Sequence, residues 1–169
     1  MQQATFLNMV LPFKDKIFRL AKRLLTSNEE AEDATQEVFE KLWKKKALLD
    51  QFDNLEAFAM RITKNYCLDQ LKSKNANHSR VLLTDFEDKT TGLHQQIEAK
   101  DSLRWAEIAI NQLPKKQKIV LQLRDIEEYE FEKIAEITKM NPIAIRVSLS
   151  RARNTIKEYM IKKHQYGLE

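Results

Sequence analysis

The sequence predicts an all-α protein: two small helical domains joined by a flexible linker, the second a four-helix unit containing a helix-turn-helix. Three observations predict it. Apolar residues recur at helical spacing through both halves, and no run keeps the alternation of a strand. Glycine and proline are scarce, two and three in 169 residues, so little interrupts the helices. Residues 76–95 lose the periodicity and gather turn formers, which marks a linker. The expected division is 1–75, a linker over 76–99, and 100–169.

The first predicted helix runs from about Thr5 to Leu25, with Phe13, Ile17, Leu20, Ala21 and Leu24 on one face. Pro12 either starts its main body or kinks it one turn in. The second follows Ser27, where Ser27-Asn28-Glu29-Glu30 has the form of a capping box, and runs to about Lys46. The third begins after Asp53, with Glu56 as the reciprocal carboxylate, and continues to about Lys74. Helical spacing resumes over 96–113, and Pro114 opens a helix from Lys115 to about Ile126. A short helix spans Phe131 to Thr138. Asn141-Pro142 supplies a cap and a first-turn proline for the last helix, which ends near Lys163.

Composition removes several kinds of chemistry. Gly92 and Gly167 stand apart, so no glycine-rich loop is available to cradle a phosphate or dinucleotide. Cys67 is the one cysteine, which excludes an internal disulfide and a cysteine-built zinc site. His78, His94 and His164 show no metal-ligand spacing. The reading is therefore no catalytic residues, no metal and no cofactor. Met1 to Leu11 is too short and lacks a basic leader for a targeting segment, and no apolar run approaches the ~20 residues that span a bilayer. A cytoplasmic protein is expected.

Charge is distributed unevenly. Residues 1–75 carry 13 Lys+Arg against 11 Asp+Glu, residues 76–102 carry 3 against 5, and residues 103–169 carry 13 against 9. From Lys139 to Lys157 there are five basic residues and no acidic one, whereas Asp125 to Glu132 holds five acidic and no basic ones. In the last helix Ile145, Leu149, Ala152 and Ile156 form an apolar stripe. Arg146, Ser150, Arg153, Asn154 and Lys157 share another face, with Arg151 on the far flank. This places basic charge on the helix that a helix-turn-helix inserts into a major groove. A helical hairpin with a solvated basic face has the same pattern.

The second helix buries Ala31, Ala34, Thr35, Val38 and Leu42, and opposite them shows Glu29, Glu32, Asp33, Gln36, Glu37, Glu40 and then Trp43. An acidic surface carrying a tryptophan suits a protein partner; a solvated helix with a partly buried Trp is the plainer reading. The third helix mixes Phe58, Arg61, Lys64, Asn65, Tyr66, Lys72 and Lys74. Aromatic faces stack on unpaired bases and cations follow phosphates. Phe58, Ile62, Tyr66 and Leu68 also serve as core in a three-helix unit.

The runs DATQEVFEKLW (Asp33–Trp43) and NLEAFAMRITKNYCLDQLK (Asn54–Lys72) resemble region 2 of sigma factors. The run LPKKQKIVLQLRDIEEYEFEKIAEITKMNPIAIRVSLSRAR (Leu113–Arg153) resembles their region 4. Their order and spacing, with no domain between, resemble the extracytoplasmic-function (ECF) group of the sigma-70 family. The resemblance implies a promoter-recognition subunit that binds RNA polymerase core, directs transcription initiation and is not itself an enzyme. It implies that Asp33, Gln36, Glu37, Phe39 and Trp43 face the polymerase clamp. It implies that Phe58, Arg61, Lys64, Asn65 and Lys72 meet the melted minus-10 element, with the loop Leu48–Asn54 supplying a pocket for a flipped base. Arg146, Ser150, Arg151 and Arg153 match minus-35 reading and phosphate positions, and Lys157 extends that face.

Phe58 stands where the family often has Trp, Lys139 where it commonly has Gly, and Ser148 where many members have Arg. Asp85, Glu87 and Asp88 resemble the family's acidic linker. Most ECF members are held by an anti-sigma factor, which the resemblance makes an expected partner, with Trp43 and Val81–Leu83 as apolar candidates for it. A helix-turn-helix regulator that binds duplex DNA without polymerase is the alternative, and an all-helical adaptor without nucleic-acid function is a further one. Neither direct membrane insertion nor a bound cofactor is expected.

Overall fold

A computed structural model describes the backbone of residues 2–81 and 98–166, and the side chains of residues 2–77 and 101–165. Every regular element among them is helical. The candidates Val81–Leu83 and Asp85, Glu87 and Asp88 have side chains outside the described residues, as do Gly92, Gly167, His78 and His94.

The N-terminal unit holds α1 (Gln3–Val10), α2 (Lys14–Leu25), α3 (Asn28–Lys44) and α4 (Leu55–Val81). Pro12 sits in a 3-10 turn, Leu11–Phe13, that separates α1 from α2. A ring nitrogen without a hydrogen cannot continue the α-helical ladder, so one predicted helix becomes two. Helix α2 lies at the centre. It buries Ile17, Leu20, Ala21 and Leu24 and packs on α3 and α4. Thr26 ends it in the left-handed conformation, φ 57°, its amide donating to the Lys22 carbonyl at 2.8 Å.

Ser27 caps α3, its hydroxyl accepting from the Glu30 amide at 3.3 Å. The buried residues of α3 are Ala31, Ala34, Thr35, Val38 and Leu42, as the spacing predicts. A 3-10 turn, Lys46–Gln51, then leads to α4. Here the cap is Asn54, whose Oδ1 accepts from the Ala57 amide at 2.9 Å. Glu56 is therefore not a capping carboxylate; it turns to Lys16 and Tyr129.

Helix α4 also runs seven residues beyond Lys74. Residues 76–81, read as linker, are helical, and α5 begins at Glu98. Lys72 to Asn77 are all exposed, so this stretch has no buried face and no apolar period to betray it.

The C-terminal unit holds α5 (Glu98–Asn111), α6 (Lys115–Leu121), α7 (Phe131–Thr138) and α8 (Pro142–Tyr166). Pro114 precedes α6 as its cap. Helix α6 ends in one wider π turn, Gln122–Ile126, closed by the Glu127 amide on the Gln122 carbonyl at 3.0 Å. Helix α8 lies across α5, α6 and α7. Its stripe Ile145, Leu149 and Ala152 is buried, with Ile156 half-buried. Asn141 caps it, accepting from the Ile143 amide at 2.8 Å.

The two units are docked: α7 packs on α4 and α6 on α2. Their buried side chains form one connected cluster.

Candidate nucleic-acid and protein interfaces

Three faces collect the candidate residues. The first lies on α3. The small residues Ala31, Ala34 and Thr35 let α3 sit close to the core, which turns the opposite side to solvent. Asp33 and Gln36 are exposed, and Glu37 is half-buried. Phe39 and Trp43 are both partly buried against the core. The Trp43 ring stands edge-on to Phe6, centroids 5.0 Å apart and planes at 74°, with the Lys46 ammonium 3.8 Å from its centre. Trp43 thus divides its area between packing and surface.

The second face lies on α4 and the turn before it. Phe58 stacks on Phe52 with centroids 4.0 Å apart and planes at 16°. The Lys45 ammonium and the Arg61 guanidinium lie 5.6 and 5.5 Å from the Phe58 ring centre. Phe52 escapes the sequence reading because a lone aromatic in a loop has no period to assign it. Asn65 and Lys72 are exposed, and Arg61 and Lys64 are half-buried. The Lys64 ammonium reaches the Thr138 carbonyl of α7 at 3.5 Å. Burial holds its pKa below the usual lysine value, and the charges of Arg61 and Lys139 add to that.

The third face is the helix-turn-helix of α7 and α8. Its turn places Lys139 in the left-handed conformation, φ 59° and ψ 22°, with its amide on the Ala135 carbonyl at 2.8 Å. A side chain there costs about 1–2 kcal/mol relative to the right-handed region. The Thr138 hydroxyl accepts from the Met140 amide at 3.2 Å and tightens the turn.

Helix α8 then presents Ile143, 70% exposed, with Ala144, Arg146 and Val147 in its first turns. Apolar side chains left this open beside a cation suit a groove lined by base edges and thymine methyls. The Arg146 guanidinium lies 4.9 Å from the Phe131 ring centre, and that of Arg124 lies 4.6 Å from the same ring. Ser150, Arg151 and Lys157 are exposed further along. Arg153 is exposed but paired: its Nε and Nη2 donate to Asp125 at 3.0 and 2.5 Å.

The structure brings the predicted residues together within each face. It also brings the second and third faces against each other, through Lys64 and Thr138. Among the described residues no group of three His, Cys, Asp or Glu side chains is placed to hold a metal. Cys67 is buried, which pushes its thiol up to about 12 and keeps it protonated. No helix of the described residues is long and apolar enough to cross a membrane.

The chain thus carries an acidic face on α3, an aromatic pair edged with cations at the start of α4, and a helix-turn-helix; helical modules of this kind form a class of DNA-binding proteins. Residues 9–77 match sigma-70 region 2, and residues 103–156 match sigma-70 region 4. The chain belongs to the sigma-70 family and, within it, to the extracytoplasmic-function group.

It is 27% identical over 158 residues to the ECF RNA polymerase sigma factor SigE of Mycolicibacterium smegmatis, covering 91% of this chain and 61% of that protein. It is 28% identical over 174 aligned positions to the ECF RNA polymerase sigma factor SigW of Bacillus subtilis, covering 94% and 90%. The fold is that of the sigma factor RpoE from Bartonella quintana, solved with the anti-sigma factor NepR. The TM-score is 0.74 at 23% identity, over 92% of this chain and 96% of that one. CnrH, solved with the cytosolic domain of CnrY, shares it at TM-score 0.68 and 17% identity, over 95% and 90%.

Proposed function

We propose that this chain is a promoter-specificity subunit: it binds bacterial RNA polymerase core and directs initiation, while catalysis stays in the core. The observation that carries this is the presence of both sigma-70 regions, in order, along one chain. Residues 1–75 take the core and minus-10 role, 76–99 link, and 100–169 take the minus-35 role. The cytoplasm, where polymerase works, is the place of action. An anti-sigma factor is the regulator, as NepR is bound to RpoE of Bartonella quintana.

The docking residues are Asp33, Gln36, Glu37, Phe39 and Trp43. The minus-10 residues are Phe58, Arg61, Lys64, Asn65 and Lys72, and the minus-35 residues are Arg146, Ser150, Arg151, Arg153 and Lys157. Geometry ranks them: exposed Asp33, Asn65 and Arg146 are open to a partner, whereas Lys64 and Arg153 are engaged within the chain.

Run-off transcription from a promoter library with purified core enzyme tests the proposal. Transcripts that depend on this chain are expected. Asp33→Lys, a surface change, is expected to abolish most of them by weakening core binding. DNA binding without any core binding overturns the proposal and favours a regulator that acts alone.

A further inference from the structure

Two arginines share one aromatic ring in the helix-turn-helix unit. Phe131 opens α7 and is half-buried against the core. Arg124 of the preceding π turn and Arg146 of α8 hold their guanidinium groups 4.6 and 4.9 Å from its ring centre. Buried Ile134 and Ile137 of α7, with Ile145 and Leu149 of α8, fix the two helices against each other, so the scaffold sets where the ring stands.

The arginines of this unit are restrained in different ways. Arg153 gives Nε and Nη2 to Asp125. That pairing orients its fork, but it occupies two donors and neutralises the charge. Arg124 gives Nη1 to the Tyr129 carbonyl at 2.9 Å and lies 3.6 Å from Glu130. Arg146 is exposed and, among the described residues, has neither a hydrogen bond nor an ion pair. Its restraint is the Phe131 ring. A ring attracts a guanidinium through its π face and takes none of its five N–H donors.

We infer that Phe131 is a positioning residue for minus-35 specificity: its ring seats the Arg146 guanidinium before DNA arrives, with every donor still free for a base edge. This rests on the promoter reading proposed above. A long side chain with no seat loses rotamer freedom when it binds, and a seated one has lost part of it already. A bidentate contact to guanine needs the plane and reach of the fork to suit two atoms at once, O6 and N7. Contacts to phosphate position a protein without reading sequence and are met by a point charge as well as by a fork. Seating therefore favours the base contact, and loss of the ring costs discrimination before it costs general affinity.

The test uses holoenzyme reconstituted with RNA polymerase core and a fluorescent promoter duplex from the run-off library, with each minus-35 base pair replaced in turn. Phe131→Leu keeps an apolar side chain against the core and removes the π face, whereas Phe131→Tyr keeps the ring. Arg146→Ala identifies the base pair that Arg146 reads. There Phe131→Leu is expected to lower discrimination about two- to fivefold, the size of an exposed cation–π contact, with affinity for a scrambled duplex nearly unchanged. Phe131→Tyr is expected to keep wild-type discrimination. In an Arg146→Ala background Phe131→Leu is expected to change nothing further at that base pair, because the ring acts through the arginine.

A merely structural role would weaken binding to every duplex and would add to the Arg146→Ala loss. Phe131→Met, also without a ring, is carried alongside, and circular dichroism confirms helicity, so the outcome does not hang on one substitution that could disturb the turn. Wild-type discrimination in folded Phe131→Leu and Phe131→Met overturns the inference, as does a loss that adds to that of Arg146→Ala. Arg146→Ala that loses no discrimination at any minus-35 base pair also overturns it, since there is then no base contact to position. The promoter reading fails by a different sign, the absence of any transcript that depends on this chain, and takes this inference with it.

Discussion

Arg19 and Glu127 stand 108 positions apart in the chain and meet through two hydrogen bonds of 2.7 and 2.8 Å. Each lies in a different sigma region, so their pairing joins the region 2 half to the region 4 half. The Glu127 side chain is 1% exposed. A carboxylate buried this deeply is tolerated because the guanidinium matches both its oxygens.

Acid is expected to undock the units. Burial works to raise the Glu56 pKa, but the bonds from Lys16 and Tyr129 and the nearby charges outweigh it, and the net shift is downward. Glu107 is also lowered, first by its bond from Arg23. A carboxyl depressed in the docked state contributes stability that is present above its free value of 4.5 and is lost as pH falls through the docked value. Scattering followed from pH 7 downward should show constant dimensions to about pH 5 and expansion below. Expansion that begins above pH 6 would exclude these carboxyls as its cause.

Lys139→Gly is expected to stabilise the protein. The left-handed turn costs a non-glycine residue about 1–2 kcal/mol, partly offset by the extra freedom glycine gives the unfolded chain. The substitution also removes a like charge beside Lys64. A net gain of about 1 kcal/mol corresponds to a rise of roughly 2–4 °C in Tm for a chain this long. Thermal melting followed by circular dichroism measures it, and an unchanged or lower Tm contradicts the account of the turn.

Periodicity made most of this fold legible. Ala31, Ala34, Thr35, Val38 and Leu42 are buried as their spacing requires, and α7 spans the predicted Phe131–Thr138. Two things stayed hidden for physical reasons. Lys72 to Asn77 of α4 all face water, so no buried apolar face marks that stretch. Glu56 sits three residues from an Asp and reads locally as a capping partner, whereas its partners Lys16 and Tyr129 are 40 and 73 positions away. The docking of the two units is a property of such distant pairs. The cations of α2 were visible, but nothing local shows what they face.

Asn65→Ala is expected to lower open-complex formation while leaving binding of a minus-35 duplex unchanged. Asn65 is exposed on the α4 face that also carries the Phe52–Phe58 stack, and contacts to an unpaired base are worth ~1–3 kcal/mol each. Lys64→Ala is expected to have two opposing effects, because it removes a cation proposed to meet the minus-10 strand and also the bond to Thr138. Permanganate reactivity of minus-10 thymines with reconstituted holoenzyme is the measurement. Unchanged reactivity for Asn65→Ala would make that residue a bystander.

Arg146, Arg153 and Lys157 are expected to separate into three behaviours on minus-35 DNA. Arg146 lies in the second turn of α8, next to exposed Ile143 and Val147, and recognition helices enter the groove by their N-terminal end. Its contact with Phe131, 4.9 Å from the ring centre, limits the orientations of the guanidinium before DNA arrives. Arg146→Ala should therefore cost about 1–3 kcal/mol on the preferred duplex and relax preference at one base pair. Lys157 lies three turns further on and is exposed, so Lys157→Ala should weaken all duplexes alike and reduce the salt slope by about one unit. Arg153 is held by Asp125, which raises its already high pKa through the bond they share. Arg153→Ala should change DNA affinity less than Lys157→Ala, because the wild-type charge is already neutralised by its partner. Asp125→Ala should then strengthen binding by releasing that charge. Salt-titrated binding of the four variants to promoter and scrambled duplexes decides the assignment. Equal losses on both duplexes for Arg146→Ala would make it a phosphate contact, and weaker binding by Asp125→Ala would show that the pair positions Arg153 for DNA.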